Sequence, residues 1–272
     1  MRTRFSALAS LALGAALALA AFAPVGASDK AMVRVMHASP DAPAVDVYVN
    51  DAKVDALTNV PFKAVSDYLM LDAGTYKLGI KVAGAAAADA YVLSADATVE
   101  AGKAYTVAAT GPVASIAFTI LVDNTTASST TAKLRIVHFS PDAPAVDVLT
   151  QDGATKLVSN LTFPTASKYL ALPGGSYDVK VCATADNAVC PLDPPALTLE
   201  DGKNYTVFAV NSLANIEAVV AVDGTVAATV PETSTVPADG GSAPILPALF
   251  VAFAAVVGVG LFGRRLAGAR AR

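Results

Sequence analysis

The side chains with the clearest capacity for chemistry lie in a short motif that the chain contains twice. Both histidines of the chain belong to it, and each is followed by a serine and two aspartates at the same spacing. The two copies supply His37, Ser39, Asp41 and Asp46, and then His138, Ser140, Asp142 and Asp147. A serine, a histidine and a carboxylate are the groups that form the nucleophile, base and acid relay of many hydrolases.

Strand geometry favours a structural role for this motif. His37 and Ser39 are two positions apart, so in a strand they share a face but stand about 6–7 Å apart. A serine in an Asp-Ala-Pro turn more naturally caps the backbone than attacks a substrate. We therefore predict no catalytic residue and no enzyme activity. The eight side chains form a polar corner that holds its own turn, with ligand binding at this corner as an alternative role.

Neither a metal site nor a cofactor is predicted. One histidine and two aspartates in each copy do not have the spacing of a calcium loop. The sequence has no phosphate loop, dinucleotide fingerprint or zinc-ligand cluster. The two cysteines, Cys182 and Cys190, do not have a zinc or redox spacing, and in an exported chain we predict that they form a disulfide.

A duplication explains why the motif occurs twice. The segment Ser39–Val47 recurs without change as Ser140–Val148. Matches extend on both sides of it: Arg34, Tyr68, Gly74, Thr106 and Asp123 recur as Arg135, Tyr169, Gly175, Thr206 and Asp223. The repeated unit is therefore a whole domain rather than a short motif.

Each copy has the pattern of a β-domain. Val33 and Val35 alternate with Arg34 and Met36, and turn residues such as those at 72–74 separate the apolar runs. About seven short strands with frequent turns are typical of a β-sandwich. The predicted fold class is all-β, with two tandem β-sandwich domains of immunoglobulin-like or transthyretin-like topology.

The two ends of the chain have the patterns of targeting and membrane segments. A basic start, an uncharged apolar run and small residues at 25–27 predict a secretory signal peptide. The apolar stretch 245–262 is followed by arginines, which predicts a transmembrane helix with a cytoplasmic tail. The predicted organisation is a signal peptide (1–27), a first β-sandwich repeat (28–123), a linker (124–131), a second β-sandwich repeat (132–223), a Thr/Pro/Gly/Ser-rich stalk (224–244), a transmembrane helix (245–263) and a basic cytoplasmic tail (264–272).

The charge distribution excludes one class of partner. All 23 acidic residues lie between Asp29 and Asp239, whereas the two ends are basic. An acidic surface repels the phosphate backbone, so we expect no nucleic-acid partner.

The stretch Val33–Tyr48 resembles the opening of a bacterial surface-domain family known only as domain of unknown function 4397. That family has a His-x-Ser-Pro-Asp-Ala-Pro-x-Val-Asp-Val signature and a later Gly-x-Tyr strand, and both copies here match the signature. The resemblance covers most of 33–223. It implies an exported, often cell-surface, all-β protein, and it implies no activity.

These patterns together predict a non-enzymatic protein of the cell membrane with a single span, its repeats outside the cell and its tail in the cytoplasm. Adhesion, ligand binding and envelope structure are the expected roles, and the partner is an unidentified surface protein or glycan. Two alternatives stay open: a hydrolase that uses the His-Ser-Asp corner, and the ectodomain of a sensory complex.

Overall fold

The computed structural model describes residues 30–226. The predicted signal peptide, the stalk beyond 226, the transmembrane helix and the basic tail lie outside the described residues. Within 30–226, every helix is too short to cross a bilayer.

The first repeat, residues 30–123, consists of two four-stranded sheets. Its strands are β1 (Lys30–Ala38), β2 (Val45–Val49), β3 (Ala52–Lys53), β4 (Leu69–Asp72), β5 (Gly74–Val82), β6 (Leu93–Val99), β7 (Ala104–Thr110) and β8 (Ala117–Asp123). One sheet has the order β4-β1-β7-β8, and the other has the order β3-β2-β5-β6. In the first sheet β1 and β7 are parallel, and the other neighbours are antiparallel.

The second repeat, residues 132–225, follows the same plan with a less complete second sheet. Its strands are β9 (Ala132–His138), β10 (Val146–Thr150), β11 (Lys156–Leu161), β12 (Leu170–Leu172), β13 (Gly175–Tyr177), β14 (Val179–Ala183), β15 (Leu197–Leu199), β16 (Lys203–Val210) and β17 (Glu217–Thr225). The order β12-β9-β16-β17 reproduces the first sheet of repeat 1, whereas the second sheet divides into β11-β10-β14 and β13-β15. Three short 3-10 helices, Asp55–Leu57, Val113–Ser115 and Leu213–Asn215, lie in the connections.

The strand order differs from one of the two topologies that the sequence allows. An immunoglobulin fold places its first two strands in the same sheet. Here β1 lies between β4 and β7, while β2 belongs to the other sheet. The order is therefore not the immunoglobulin one. The all-β class and the tandem arrangement of two domains are confirmed.

Each repeat buries its own apolar core because alternate residues of its strands point between the two sheets. In repeat 1, Val33 and Val107 of one sheet pack with Leu78 and Val99 of the other. In repeat 2, Ile136, Val148 and Val181 belong to the corresponding cluster. The period-2 apolar pattern thus produces a sandwich in each copy.

A further apolar cluster joins the two repeats. It lies on the opposite face of β1, β7, β8, β9 and β16 and consists of Met36, Ala38, Ala108, Leu121, Val137, Phe139, Phe208 and Val210. Phe139 and Phe208 stack with their ring centroids 5.7 Å apart. The repeats therefore belong to one compact unit, which holds every strand of both sandwiches.

The connection between the repeats is held closely against β17. The Asn204 side-chain amide donates hydrogen bonds to the carbonyl oxygens of Asn124 and Thr126, at 2.6 and 3.1 Å. A Cβ atom at Gly224 would lie 2.2 Å from the carbonyl oxygen of Thr125. Glycine is required at this position because any side chain would push the connecting backbone away.

We expect Gly224→Ala to lower the free energy of unfolding by about 1–3 kcal/mol, the usual cost of overpacking. Gly175→Ala is the matched control, because its new Cβ would lie 3.9 Å from its nearest neighbour, the Tyr177 ring. Urea unfolding followed by circular dichroism measures both changes. Equal destabilisation by the two variants would contradict the close approach at Gly224.

Candidate functional site

Both signature histidines are buried and bonded to the backbone. His37 and His138 are 2% and 0% exposed. In each copy the backbone N–H of the serine two residues later donates to Nδ1, at 3.4 and 3.3 Å. The other ring nitrogen, Nε2, must then carry the hydrogen, and it donates to the carbonyl oxygen of Pro43 or Pro144 at 3.0 Å. The imidazole therefore closes the Ser-Pro-Asp-Ala-Pro corner on itself.

The serine and the first aspartate of the signature also contact this corner and its neighbours. Ser39 Oγ lies 3.4 Å from Asp41 Oδ1, whereas Ser140 Oγ is buried and makes no hydrogen bond to any described residue. The Asp41 carboxylate accepts the backbone N–H of Val113 at 2.9 Å. Its equivalent Asp142 accepts the N–H of Leu213 at 2.7 Å. Both carboxylates thus cap the short helix that precedes the last strand of their repeat.

The second aspartate of the signature binds a separate set of groups. Asp46 accepts hydrogen bonds from Lys53 Nζ at 2.6 Å and from the backbone N–H groups of Asn59 and Gly84, at 2.7 and 3.1 Å. Hydrogen bonding to Lys53, aided by the two backbone donors, lowers the pKa of Asp46 below its ordinary value although burial opposes this. Asp46 ties together two loops rather than joining the histidine.

Asp147 does the same in repeat 2. It accepts hydrogen bonds from Lys156 Nζ at 2.5 Å, the Asn160 N–H at 2.7 Å and Thr184 Oγ1 at 2.9 Å. Burial raises the pKa of Asp147, but these three donors outweigh it and the net shift is downward. The structure therefore brings His, Ser and the first Asp of each signature into one corner and gives the second Asp other partners. Among the described residues, no hydrogen bond joins a signature serine hydroxyl to a histidine ring.

A buried network of charged side chains, absent from the predictions made from the sequence, lies between the repeats. Arg34 is 2% exposed, and its Nη2 donates to Asp223 Oδ1 of the other repeat at 2.5 Å. Its Nε donates to Thr106 of its own repeat at 2.8 Å, and its guanidinium stacks on the Tyr68 ring at 4.8 Å. The Arg34 Nη1 reaches the carbonyl oxygen of Val222 at 3.2 Å.

The equivalent residues of repeat 2 make the same set of contacts. Arg135 Nη2 donates to Asp123 Oδ1 at 2.5 Å, and its Nη1 donates to the Val122 carbonyl at 3.0 Å. The guanidinium stacks on Tyr169 at 4.7 Å. Each arginine is therefore positioned by its own repeat and bonded through Nη2 to the aspartate of the other, while Asp123 also lies 3.7 Å from Nε of Arg34.

The two aspartates are fully occupied. Asp123 also accepts the hydroxyl hydrogens of Thr106 and Tyr68, at 2.6 and 2.7 Å. Asp223 accepts those of Thr206 and Tyr169, at 2.5 and 2.6 Å. Burial, reinforced by the neighbouring carboxylate, raises the pKa of both tyrosines well above the ordinary value, so both phenols remain protonated donors.

A sequence signal for this network existed. Arg34, Thr106 and Asp123 each recur in the second copy, and each lies in an apolar strand on the face opposite the valines of the sandwich core. That face is normally exposed in an isolated sandwich, so the recurrence alone does not reveal a second buried layer.

The loop that follows β5 in repeat 1 and the equivalent loop that follows β14 in repeat 2 are closed by different means. In repeat 1, the loop is held by Lys81, which is 3% exposed. Its Nζ donates a hydrogen bond to the Ala87 carbonyl oxygen at 2.7 Å. The same nitrogen lies 4.9 Å from the centroid of the Tyr48 ring and 4.7 Å from the centroid of the Tyr91 ring. Cys182 occupies the position of Lys81 in repeat 2 and forms a disulfide with Cys190. The predicted disulfide is confirmed. Within 30–226, no group of three or more His, Cys, Asp or Glu side chains is arranged to hold a metal ion.

Replacing Asp223 with Asn tests the buried network. The variant removes the carboxylate bonded to Nη2 of the buried Arg34 and leaves only Asp123, 3.7 Å from Nε. Breaking one side of a buried pair costs about 3–5 kcal/mol. Asp72→Asn is the control, because Asp72 pairs with Lys30 on the surface, where the side chains are 78% and 48% exposed, and such pairs contribute little. Chemical unfolding should show a large loss for the first variant only; similar losses would argue against the network.

Stability should depend on pH through His138. Burial lowers the pKa of His138 below its ordinary value of 6.5, against the opposing hydrogen bond to Pro144. The unfolded chain therefore binds this proton more readily, so stability is complete above about pH 6.5 and falls as the pH drops towards the folded pKa. Urea midpoints measured from pH 7.5 to 5.5 should fall for the wild type, and this dependence should flatten in His138→Gln. Parallel curves would contradict the assignment.

The comparisons with known proteins identify the family. The family described as domain of unknown function (DUF4397) matches residues 31–149 and 149–237. No curated protein matches the chain. A structure of a proposed cell adhesion protein from Bacteroides ovatus is 10% identical, covers 74% of this chain and 99% of its own, and has a TM-score of 0.24.

A second structure, of a proposed cell adhesion protein from Bacteroides uniformis, is 12% identical, covers 72% of this chain and 98% of its own, and has a TM-score of 0.19. These scores are too low to indicate a shared fold. The family match spans both repeats and confirms the resemblance seen in the signature. The chain belongs to the DUF4397 family and carries two copies of its domain in tandem.

Proposed function

We propose that this chain is a non-enzymatic protein of the cell surface whose two repeats form one rigid ligand-binding body. The observation that carries the proposal is the use of the signature residues. In both copies the histidine ring bonds only to the backbone of its own corner, and both second aspartates hold loops. The histidines and second aspartates of the signature are thus engaged in holding the fold.

The buried network supports the rigidity of this body. Arg34 and Arg135 each bond to an aspartate of the other repeat, and an apolar cluster surrounds the junction. Such a junction fixes the orientation of the two sandwiches. A fixed body suits a protein that presents or captures a ligand outside the cell, because binding then loses little conformational entropy.

The proposed location rests on the two ends of the sequence. The basic and apolar start is typical of export, and the C-terminal apolar run followed by arginines favours a membrane span with the tail inside. The DUF4397 signature also resembles that of exported surface domains. In this proposal the repeats face outward, and their partner is an unidentified surface ligand.

The location is tested by adding a protease to intact bacterial cells that express the full chain with a C-terminal tag. We expect the repeats to be cleaved while a short tagged fragment stays with the cells. A variant that lacks 245–263 is the control and should appear in the medium, because it has lost the predicted span. Full protection of the repeats in intact cells, with the chain recovered from the cytosol, would overturn the proposal.

A further inference from the structure

The two repeats differ in the sheet that covers their apolar cores. In repeat 1, β6 pairs with β5 along its whole length, from Val99 opposite Gly74 to Leu93 opposite Ile80. In repeat 2, the corresponding continuous ladder stops after Leu197 opposite Tyr177, and pairing resumes only as a single bridge, Leu192 opposite Val181. The strand that covers this edge of the second sandwich is therefore interrupted at residues 193–196.

Two prolines explain why this ladder stops. When the copies are aligned on Glu100 and Glu200, Pro194 and Pro195 stand where repeat 1 has Ser94 and Ala95. Proline has no N–H to donate and is excluded from the interior of a sheet. Residues 193–196 consequently lie outside the ladder, and pairing with β14 returns only at Leu192.

A second substitution enlarges the same space. In the same alignment, Ala218 of β17 stands where repeat 1 has Phe118 of β8. Phe118 packs against the apolar core of repeat 1, whereas an alanine leaves most of that volume empty. Val179 also loses cover: it is half-buried, while its equivalent Leu78 is buried.

These differences produce a cavity of about 270 Å³ inside repeat 2, against about 130 Å³ in repeat 1. The walls of the larger cavity include Ile136, Val148, Leu170, Val179, Leu197 and Ala218. Pro195 and Ala196 on one side are exposed, and Val220 on the other is 47% exposed. The cavity therefore reaches solvent between the interrupted strand and β17.

The lining determines what such a cavity can hold. It contains no charged side chain, and its one hydroxyl, that of Tyr177, already donates to the Pro173 carbonyl at 2.7 Å. A polar group inside would lack a partner, which is costly. An apolar cavity of about 150 Å³ holds the six carbons of benzene, so this one holds about eleven non-hydrogen atoms in proportion.

We propose that repeat 2 binds an uncharged hydrocarbon chain of about ten carbons in this cavity, with any polar end at the solvent-facing mouth. Repeat 1 has only the smaller cavity, too small for such a chain, because Phe118 occupies part of the corresponding space and β6 is complete. This hydrocarbon ligand specifies the ligand class of the proposed surface protein, and its biological setting rests on that proposed function. Ligand binding is measured with purified protein, so the test of the cavity is separate from the test of cellular location.

The experiment uses residues 28–228, which contain every strand of the compact unit, and decan-1-ol as the probe. Isothermal titration should show saturable binding of one equivalent, and the melting temperature should rise. Butan-1-ol should bind at least tenfold more weakly, because it leaves most of the apolar wall without contacts.

Ala218→Phe is the matched variant, because it places in repeat 2 the residue that repeat 1 already has. We expect it to keep or raise the melting temperature and to abolish decanol binding. Phe118→Ala makes the reciprocal change and should create a second site of lower affinity. Lack of saturable binding by the wild type, or equal binding by wild type and Ala218→Phe, would overturn the inference, because the cavity would then be closed or the site elsewhere.

Discussion

The two ion pairs exchanged between the repeats are the constraint on which this structure depends. Arg34 and Arg135 are almost completely buried, and a buried guanidinium without a carboxylate is strongly destabilising. The carboxylate bonded to Nη2 of each arginine comes from the opposite repeat: Asp223 bonds to Arg34, and Asp123 bonds to Arg135. A buried pair adds little net stability over apolar packing, but it permits only one arrangement of the sandwiches, in which both charges are satisfied.

Much of the fold could be predicted from the sequence, because its signals are local. The alternation of Val33 and Val35 with Arg34, the recurring turns and the duplicated signature indicate two β-domains without knowledge of any distant contact. The bonds of the His37 ring are local as well, because its partners Pro43 and Ser39 lie within a few residues of it. The cysteine pair was equally local.

The rest depended on contacts between residues far apart in the chain. The alternation of β1 places Met36 and Arg34 on the outer face of a sandwich, and nothing local reveals that another sandwich covers that face. The sheet order likewise depends on the parallel pairing of β1 with β7, which joins the two ends of the repeat. The prolines at 194 and 195 predict a break in a strand, but the resulting space appears only when the opposite wall, including Ala218, is in place.

The exchange of ion pairs has a consequence for the origin of the chain. One copy alone holds both halves of the bond, Arg34 with Asp123 or Arg135 with Asp223, so its outer face is self-complementary. That is the property of a twofold homodimer interface, in which residue i meets residue j and j meets i. The tandem chain has the form expected when the gene of such a dimer is duplicated and fused. Covalent linkage then replaces concentration in bringing the partners together.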